Sequence, residues 1–226
     1  MPIEAVIFDL DGTLANFNLD YKALRSDVRS YLMRIGVPDS VLKINESVFE
    51  MLKKAEIYIK NNGKQNETFE DIRSQALAIA EKYEMEAAST TNLLPGANEA
   101  LKELRQMSIK MGLCTTSSEK SACFILHRFK IDEYFQSVVP RNKVKHVKPS
   151  TEQFELALKT LGARPQGTVI VGDSIVDMQS ARELKAVAVG LTTGFSDTKQ
   201  LMTNGANYII TSLNDLAVLI KKINKD

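Results

Sequence analysis

Short apolar segments alternate with helical patterns along most of the chain, and this alternation constrains the fold more than any other feature. Strands that alternate with helices pair in parallel through crossover connections. We therefore predict an α/β domain built on a parallel sheet, with Ser150-Thr151-Glu152-Gln153 as a capping box at the start of one of its helices. The predicted strands are Ile3–Phe8, Ile109–Cys114, Phe135–Val139, Thr168–Val171, Val187–Leu191 and Tyr208–Ile210.

Residues 16–90 depart from this alternation, because they show helical periodicity and no strand pattern. They separate the first predicted strand from all the others, so the simplest arrangement is one α/β domain interrupted by a helical insertion. We predict that residues 1–15 and 91–226 form the α/β domain and that residues 16–90 form the insertion. The predicted helices of the insertion run from Tyr21 to Ile35, from Val41 to Tyr58 and from Thr68 to Tyr83.

Charge and hydropathy point to a small partner. A net charge of +1 without long blocks of one sign offers no surface for nucleic acid or an anionic membrane. No apolar stretch is long enough to span a bilayer and the N-terminus lacks a signal-peptide pattern, so we expect a cytoplasmic location. Cys114 and Cys123, the only cysteines, lack metal-site spacing. We expect core thiols, with Cys114 near enough to Thr115 to make activity sensitive to oxidation.

Two carboxylates stand where the first strand ends. Asp9 and Asp11 are two residues apart, so their side chains point to the same side of an extended segment, and Gly12 lets the backbone turn directly afterwards. The simpler alternative is a turn with two solvated acids, but the continuous apolar run Val6–Phe8 is typical of a buried central strand. Two like charges this close require a cation or a shared proton.

Three further segments are predicted at the same edge of the sheet, where parallel α/β sheets bind their ligands. Together with the two acids they supply a nucleophile, a second carboxylate, a hydroxyl and a cation, as phosphoryl transfer requires. These segments are Thr115-Thr116, the loop Val144–Pro149 that contains Lys148, and Gly172-Asp173-Ser174 with Asp177.

These four motifs, in this order, resemble those of the haloacid dehalogenase superfamily, in its phosphatase branch with a helical cap and similar to phosphoglycolate phosphatases. The motifs are Asp9-Leu10-Asp11-Gly12-Thr13, Thr115 after an apolar strand, Lys148-Pro149, and Gly172-Asp173-Ser174 with Asp177. The resemblance implies a Rossmann-like catalytic core for residues 1–15 and 91–226. It also implies that the helical insertion, which follows the first motif, is a cap domain.

The resemblance implies a role for each acid. Asp9 would attack phosphorus and form an aspartyl-phosphate, and Asp11 would act as general acid and then general base. Mg²⁺ would be bound by Asp9, the backbone carbonyl of Asp11, and Asp173. Asp177 has two possible roles, binding metal-bound water or orienting Lys148, and we favour the second.

The resemblance also implies how the phosphoryl group is held. The Thr115 hydroxyl and the Thr116 backbone N–H would donate to its oxygens, and Lys148 would neutralise its charge. Gly12 and Gly172, which belong to the first and last motifs, are expected to support the site.

We therefore expect an Mg²⁺-dependent phosphatase that hydrolyses a small phosphorylated metabolite, either phosphoglycolate-like or a sugar phosphate monoester. A sugar phosphate mutase similar to β-phosphoglucomutase is the nearest alternative, because it would use the same motifs. A non-catalytic regulatory binding protein is a third possibility, although no acid or lysine of the motifs is missing. The chain is expected to be a monomer or a homodimer.

Overall fold

The protein divides into two compact units in a computed structural model that describes residues 2–16, 18–62 and 68–225. The first unit contains the described residues up to 16 and from 91 onward, and the second contains those between 18 and 90. These ranges are close to those predicted for the α/β domain and the insertion. Their roles as catalytic core and cap stay predictions.

A six-stranded parallel sheet organises the first unit, in the order β5 (Ser137–Val139), β4 (Lys110–Cys114), β1 (Ala5–Phe8), β6 (Thr168–Gly172), β7 (Val187–Leu191) and β8 (Tyr208–Ile210). Strand β1 is central, and Phe8 is level with Leu113 of β4 and Val171 of β6. Strand order reverses at β1, and parallel α/β sheets bind their ligands at the carboxyl ends of the strands beside such a reversal. The strands of the chain are β1 Ala5–Phe8, β2 Ala15–Asn16, β3 Asn92–Leu93, β4 Lys110–Cys114, β5 Ser137–Val139, β6 Thr168–Gly172, β7 Val187–Leu191 and β8 Tyr208–Ile210.

Six helices accompany the sheet in the described part of the first unit, among them α6 (Glu152–Leu161) and α7 (Ile175–Leu184). Two of them, α6 and α7, bury Phe154 and Met178 against Ile7 and Ile170 of the central strands. Burial of such side chains stabilises the unit by roughly 1.5–3 kcal/mol each. The predicted α/β fold with a parallel sheet is confirmed. The helices are α4 Ala97–Gln106, α5 Glu119–Arg128, α6 Glu152–Leu161, α7 Ile175–Leu184, α8 Thr198–Thr203 and α9 Leu216–Ile223.

Strands β2 and β3 form a short antiparallel ladder that the sequence did not indicate, with Ala15 level with Leu93. Leu94 N donates to Leu14 O at 2.9 Å and extends the pairing. Two residues are too few to show an alternating pattern, so the ladder leaves no periodic signal. It brings the chain back beside the point where it leaves the first unit.

The second unit is helical, with α1 Tyr21–Arg34, α2 Val48–Asn62 and α3 Phe69–Thr90. Helix α2 begins at Val48 rather than near Val41, because Ser47 and Glu50 form a reciprocal pair of hydrogen bonds that starts it there. No helix within the described ranges is long and apolar enough to cross a bilayer. The three helices share one buried core, which includes Val28, Leu32, Met51, Ala55, Ile72 and Ala76.

Candidate active site

The predicted site residues converge at the carboxyl ends of β1, β4 and β6. Asp9 directly follows β1, and its N–H donates to Val171 O of β6 at 2.9 Å. Thr115 directly follows β4, and Asp173 directly follows β6. All three side chains are buried. The parallel register places these residues side by side although they are far apart in sequence.

Lys148 forms the centre of an ion-pair cluster. Its Nζ lies 2.5 Å from Asp9 Oδ1 and 2.7 Å from Asp177 Oδ1, and it donates to Cys114 O at 3.1 Å. Burial alone would lower the pKa of Lys148, but the carboxylates of Asp177 and Asp9 outweigh it and raise the pKa above its ordinary value. Lys148 is therefore a fixed ammonium beside Asp9.

Asp177 holds Lys148 from the first turn of α7. Its Oδ1 accepts from Lys148, and its Oδ2 accepts from both the backbone N–H and the hydroxyl of Ser174. A Cβ on Gly172 would collide with the Asp177 side chain, so glycine is required there. Both Asp177 oxygens are engaged, which favours the predicted orienting role over binding of metal-bound water.

Asp11 lies among hydroxyl groups of the loop that follows β4. Its Oδ2 accepts from Ser117 Oγ at 2.5 Å and from Thr115 Oγ1 at 3.4 Å. Thr115 Oγ1 in turn accepts from Ser117 N at 3.0 Å. Sequence reasoning missed Ser117, which stands in a run of four hydroxyl residues without a pattern that separates them. In this structure the Thr115 hydroxyl contacts Asp11, and its predicted contact with phosphate stays a prediction.

Thr116 lies in the loop between β4 and α5. Its carbonyl accepts from Arg141 Nη1 at 3.2 Å, and Arg141 itself is buried. The Arg141 N–H also donates to Ser117 O at 3.2 Å. Arg141 therefore fixes the two peptide groups on either side of Ser117.

Oxygen atoms from Asp9, Asp173 and Asp177 lie within 4.8 Å of one another and could hold a metal ion. When all three acids are ionised, their carboxylates exceed the single Lys148 ammonium by two negative charges. Burial raises the pKa of Asp9 well above its ordinary value despite the opposing effect of Lys148. An oxygen-only donor set with excess negative charge fits a hard divalent cation. The Asp11 carboxylate is not in the cluster, so its predicted contribution is its backbone carbonyl.

Asp173 is held by two loops. Thr13 Oγ1 donates to Oδ1 and Phe195 N donates to Oδ2, both at 3.2 Å. Gly12 has φ of +82°, and a Cβ there would lie 2.5 Å from Asp173 Oδ2. Gly194 approaches the same carboxylate from the other side, where a Cβ would collide with it. Sequence reasoning identified Gly12 but missed Gly194 and Phe195, which follow β7 without a motif.

Deprotonation of Asp173 should destabilise the metal-free protein as pH rises. Burial, and then the Asp177 charge, raise the pKa of Asp173 to about 6. The folded state therefore binds this proton more tightly than the unfolded state, so the contribution is full below the unfolded pKa and is lost as pH rises through about 6. We expect a loss of about 2–3 kcal/mol between about pH 4 and pH 7.

Urea unfolding in EDTA across this pH range measures the effect. Asp173→Asn should make the dependence shallower, whereas Glu183→Gln, which changes an exposed acid on α7, should leave it unchanged. An identical slope in Asp173→Asn and the parent protein would contradict the assignment.

Cys114 is a buried thiol, and burial raises its pKa above the ordinary value. Its Sγ donates to Gln153 O at 3.4 Å. Because the thiolate is the reactive form, this environment opposes reaction with oxidants. The expectation that Cys114 makes activity sensitive to oxidation has no support in this geometry.

The predicted capping box at Ser150–Gln153 is wrong. The residue that precedes α6 is Thr151, and the Gln153 side chain does not return to it. Its amide instead donates to Thr115 O and Val139 O in the interior. A side chain in a local capping pattern can instead form hydrogen bonds with distant segments. Here the Gln153 amide bonds to the buried carbonyls of Thr115 and Val139.

The chain belongs to the haloacid dehalogenase-like hydrolases, since the model of that family matches residues 6–190. This range includes all four motifs, from Asp9 to Asp177. The resemblance inferred from the motifs is therefore confirmed, and so is the predicted enzyme class, a hydrolase.

Three similar proteins align with nearly all of this chain. A pyrophosphatase, PpaX, from Bacillus anthracis is 27% identical over 238 residues, which cover 100% of both chains. A phosphoglycolate phosphatase from Pseudomonas putida is 27% identical over 216 residues, which cover 93% of this chain and 77% of that protein. A solved structure of a hydrolase from Pseudomonas syringae has a TM-score of 0.71 at 27% identity, covering 97% of this chain and 99% of that one.

Proposed function

We propose that this protein is an Mg²⁺-dependent phosphatase that hydrolyses a small phosphorylated metabolite through an aspartyl-phosphate on Asp9. The observation that carries the proposal is the buried Asp9 carboxylate at the end of the central strand, with Oδ1 held by the Lys148 ammonium. Asp9 Oδ2 has no hydrogen-bond partner among the described residues. An oriented carboxylate with one available oxygen is the arrangement that a nucleophile requires.

The two acids divide the chemistry between them. Asp9 Oδ2 forms a bond to phosphorus as the bond to the leaving oxygen breaks, and Asp11 gives that oxygen its proton. Asp11 then takes a proton from the water that attacks the aspartyl-phosphate, which releases phosphate and restores the Asp9 carboxylate. The contacts from Ser117 and Thr115 support this role, because they orient the Asp11 carboxylate.

The remaining residues bind charge. Lys148 and the Thr116 N–H stabilise negative charge on the phosphoryl oxygens, with the Thr115 hydroxyl moving from Asp11 to phosphate when substrate binds. Asp9, the Asp11 carbonyl and Asp173 would hold Mg²⁺, which neutralises charge on the phosphoryl group when bound. The supporting residues are Asp177, Gly12 and Gly172.

The names of the curated relatives support a phosphatase and suggest the compounds to test. One is a phosphoglycolate phosphatase and the other a pyrophosphatase. We therefore propose phosphoglycolate, sugar phosphates and pyrophosphate as the first natural compounds to assay. The helical unit of residues 18–90 is proposed as the cap that selects among them.

Release of p-nitrophenol from p-nitrophenyl phosphate tests the proposal directly. We expect release with Mg²⁺, loss of release in EDTA, and recovery when Mg²⁺ is added back. Free phosphate measured with each natural compound separates a phosphatase from a mutase, which would conserve the phosphoryl group. A folded protein that releases no phosphate from any of these compounds would overturn the proposal.

Gly194→Ala should weaken metal binding. A Cβ at this position would collide with the Asp173 carboxylate and displace it. Changes in the groups that orient a metal ligand lower metal affinity by about 10- to 100-fold. We expect the Mg²⁺ concentration for half-maximal activity to rise by at least about tenfold.

Gly162→Ala is the matched control for this variant. Gly162 ends α6 with φ of +57°, and a Cβ there would have only Lys110 Nζ within 4 Å, at 3.8 Å. This variant should cost about 1 kcal/mol of stability and leave the Mg²⁺ requirement unchanged. An unchanged Mg²⁺ requirement in Gly194→Ala would show that Asp173 does not contribute to metal binding.

A further inference from the structure

Gln153 is a fully buried glutamine whose amide bonds to three backbone positions around the site. Its Nε2 donates to Thr115 O at 2.8 Å and to Val139 O at 2.9 Å, and its Oε1 accepts from Lys148 N at 3.1 Å. The amide therefore joins the carboxyl end of β4, the carboxyl end of β5 and the loop that carries Lys148. None of the catalytic roles proposed above uses it.

The direction of the Gln153 amide is determined by its partners. Two backbone carbonyls face one end and a backbone N–H faces the other, so only Nε2 satisfies the first pair and only Oε1 the second. An amide is the side-chain group that offers two donors and an acceptor in one plane. The isosteric glutamate would place carboxylate oxygens against two carbonyl oxygens.

Two of the three residues that the Gln153 amide contacts, Thr115 and Lys148, are proposed to contact the phosphoryl group. Gln153 holds Thr115 at its backbone carbonyl and Lys148 at its backbone N–H. The same two residues carry the hydroxyl and the ammonium that are proposed to contact the phosphoryl group. Cys114 strengthens the connection, since its thiol donates to Gln153 O and its carbonyl accepts from Lys148 Nζ. The four residues form one continuous network beneath the site.

We propose that Gln153 is a positioning residue that sets the distance between the Thr115 hydroxyl and the Lys148 ammonium, an inference that rests on the proposed phosphatase function. Packing alone does not account for it, because Phe154 and Ala157 supply the apolar surface that α6 buries. The three backbone partners of the Gln153 amide, Thr115, Val139 and Lys148, lie at the carboxyl ends of β4 and β5 and in the loop that carries Lys148. Small displacements of groups that position a substrate lower rates by as much as about 100-fold.

The test compares Gln153→Met with Gln136→Met. Gln136 makes the same kind of bridge at the other end of β4, where Oε1 accepts from Met111 N at 2.8 Å and Nε2 donates to Tyr134 O at 3.0 Å. With p-nitrophenyl phosphate and Mg²⁺ we expect kcat to fall by about 30- to 100-fold in Gln153→Met and to stay within about threefold in Gln136→Met.

The Mg²⁺ requirement distinguishes positioning from general damage. Within the described part of the chain, the Gln153 side chain bonds to Lys148, Thr115 and Val139 and not to Asp9 or Asp173, so the half-saturating Mg²⁺ concentration should not change in Gln153→Met. A fall in kcat accompanied by an equal shift in the Mg²⁺ requirement would overturn the proposal. So would a kcat within about threefold of the parent protein.

A second variant, Gln153→Glu, keeps nearly the same side-chain shape, and hydrogen exchange at the Lys148 amide tests the positioning role without any substrate. The glutamate keeps the acceptor for Lys148 N and loses the two donors. We therefore expect the same fall in kcat as in Gln153→Met, but an unchanged hydrogen-exchange rate at the Lys148 amide. In Gln153→Met that amide should exchange at least about tenfold faster. If the parent protein releases no phosphate, the proposed function fails, and unchanged exchange at Lys148 in Gln153→Met would overturn the positioning role separately.

Discussion

Asp9→Asn should lower phosphate release by at least about 1,000-fold while the chain stays folded. The amide has nearly the same shape as the carboxylate but is a much weaker nucleophile, so the aspartyl-phosphate cannot form at a useful rate. Lys148 keeps its 2.7 Å pair with Asp177 in this variant, so no buried ammonium is left alone. Burial already raises the pKa of Asp9, which means that a neutral group is tolerated there.

Initial rates with p-nitrophenyl phosphate and urea unfolding curves in EDTA measure the two parts of this prediction. Asp197→Asn is the matched control, because Asp197 caps α8 through Oδ1 and asparagine caps equally well. The control should keep full activity. If Asp9→Asn retained more than about a tenth of the parent rate, Asp9 would not be the nucleophile.

Lys148→Met should damage both activity and stability. Its removal leaves the buried carboxylates of Asp9 and Asp177 without their shared cation, and breaking a buried ion pair in this way costs about 3–5 kcal/mol. Lost charge stabilisation of the transferring group should lower kcat by about 100- to 1,000-fold. Neither nearby lysine substitutes for it, since Lys143 and Lys145 are exposed.

A second substitution separates the two effects. Lys148→Met combined with Asp177→Asn removes one of the unpaired charges, so it should recover part of the stability and none of the activity. Lys145→Met, in the same loop but exposed, should change neither quantity. Urea unfolding and kcat, measured for all three proteins, test these outcomes. Equal stability of Lys148→Met and the parent protein would contradict the ion-pair assignment.

The sequence predicted the framework of the fold well because its signals are local. Each strand of the main sheet is a short apolar run, and the helices of the second unit have clear periodicity. The predicted start of α2 near Val41 is wrong, because the reciprocal hydrogen bonds of Ser47 and Glu50 start the helix at Val48, although apolar residues at helical spacing precede it. The ladder of β2 and β3 was too short to leave a pattern.

Part of the site was also predictable, since Asp9, Thr115, Lys148 and Asp173 occupy the ends of recognisable strands or loops and do converge. The residues that hold them were not predictable. Ser117 and Gln153 contact segments that are distant from them in sequence. No periodicity or spacing predicts which buried carbonyl a glutamine side chain will bond to. Gln153 even carried a misleading local signal, the capping-box pattern.

The central place of β1 has a consequence for synthesis on the ribosome. β1 precedes its neighbours β4 and β6, which begin at Lys110 and Thr168, so its apolar residues stay unpaired while the residues between Phe8 and Lys110 are translated. The helical unit of residues 18–90 depends on nearer contacts and can fold during that interval. The nascent protein therefore exposes the apolar β1 segment until β4 has been made. Slowing translation after β1 should increase the protein's demand for chaperones.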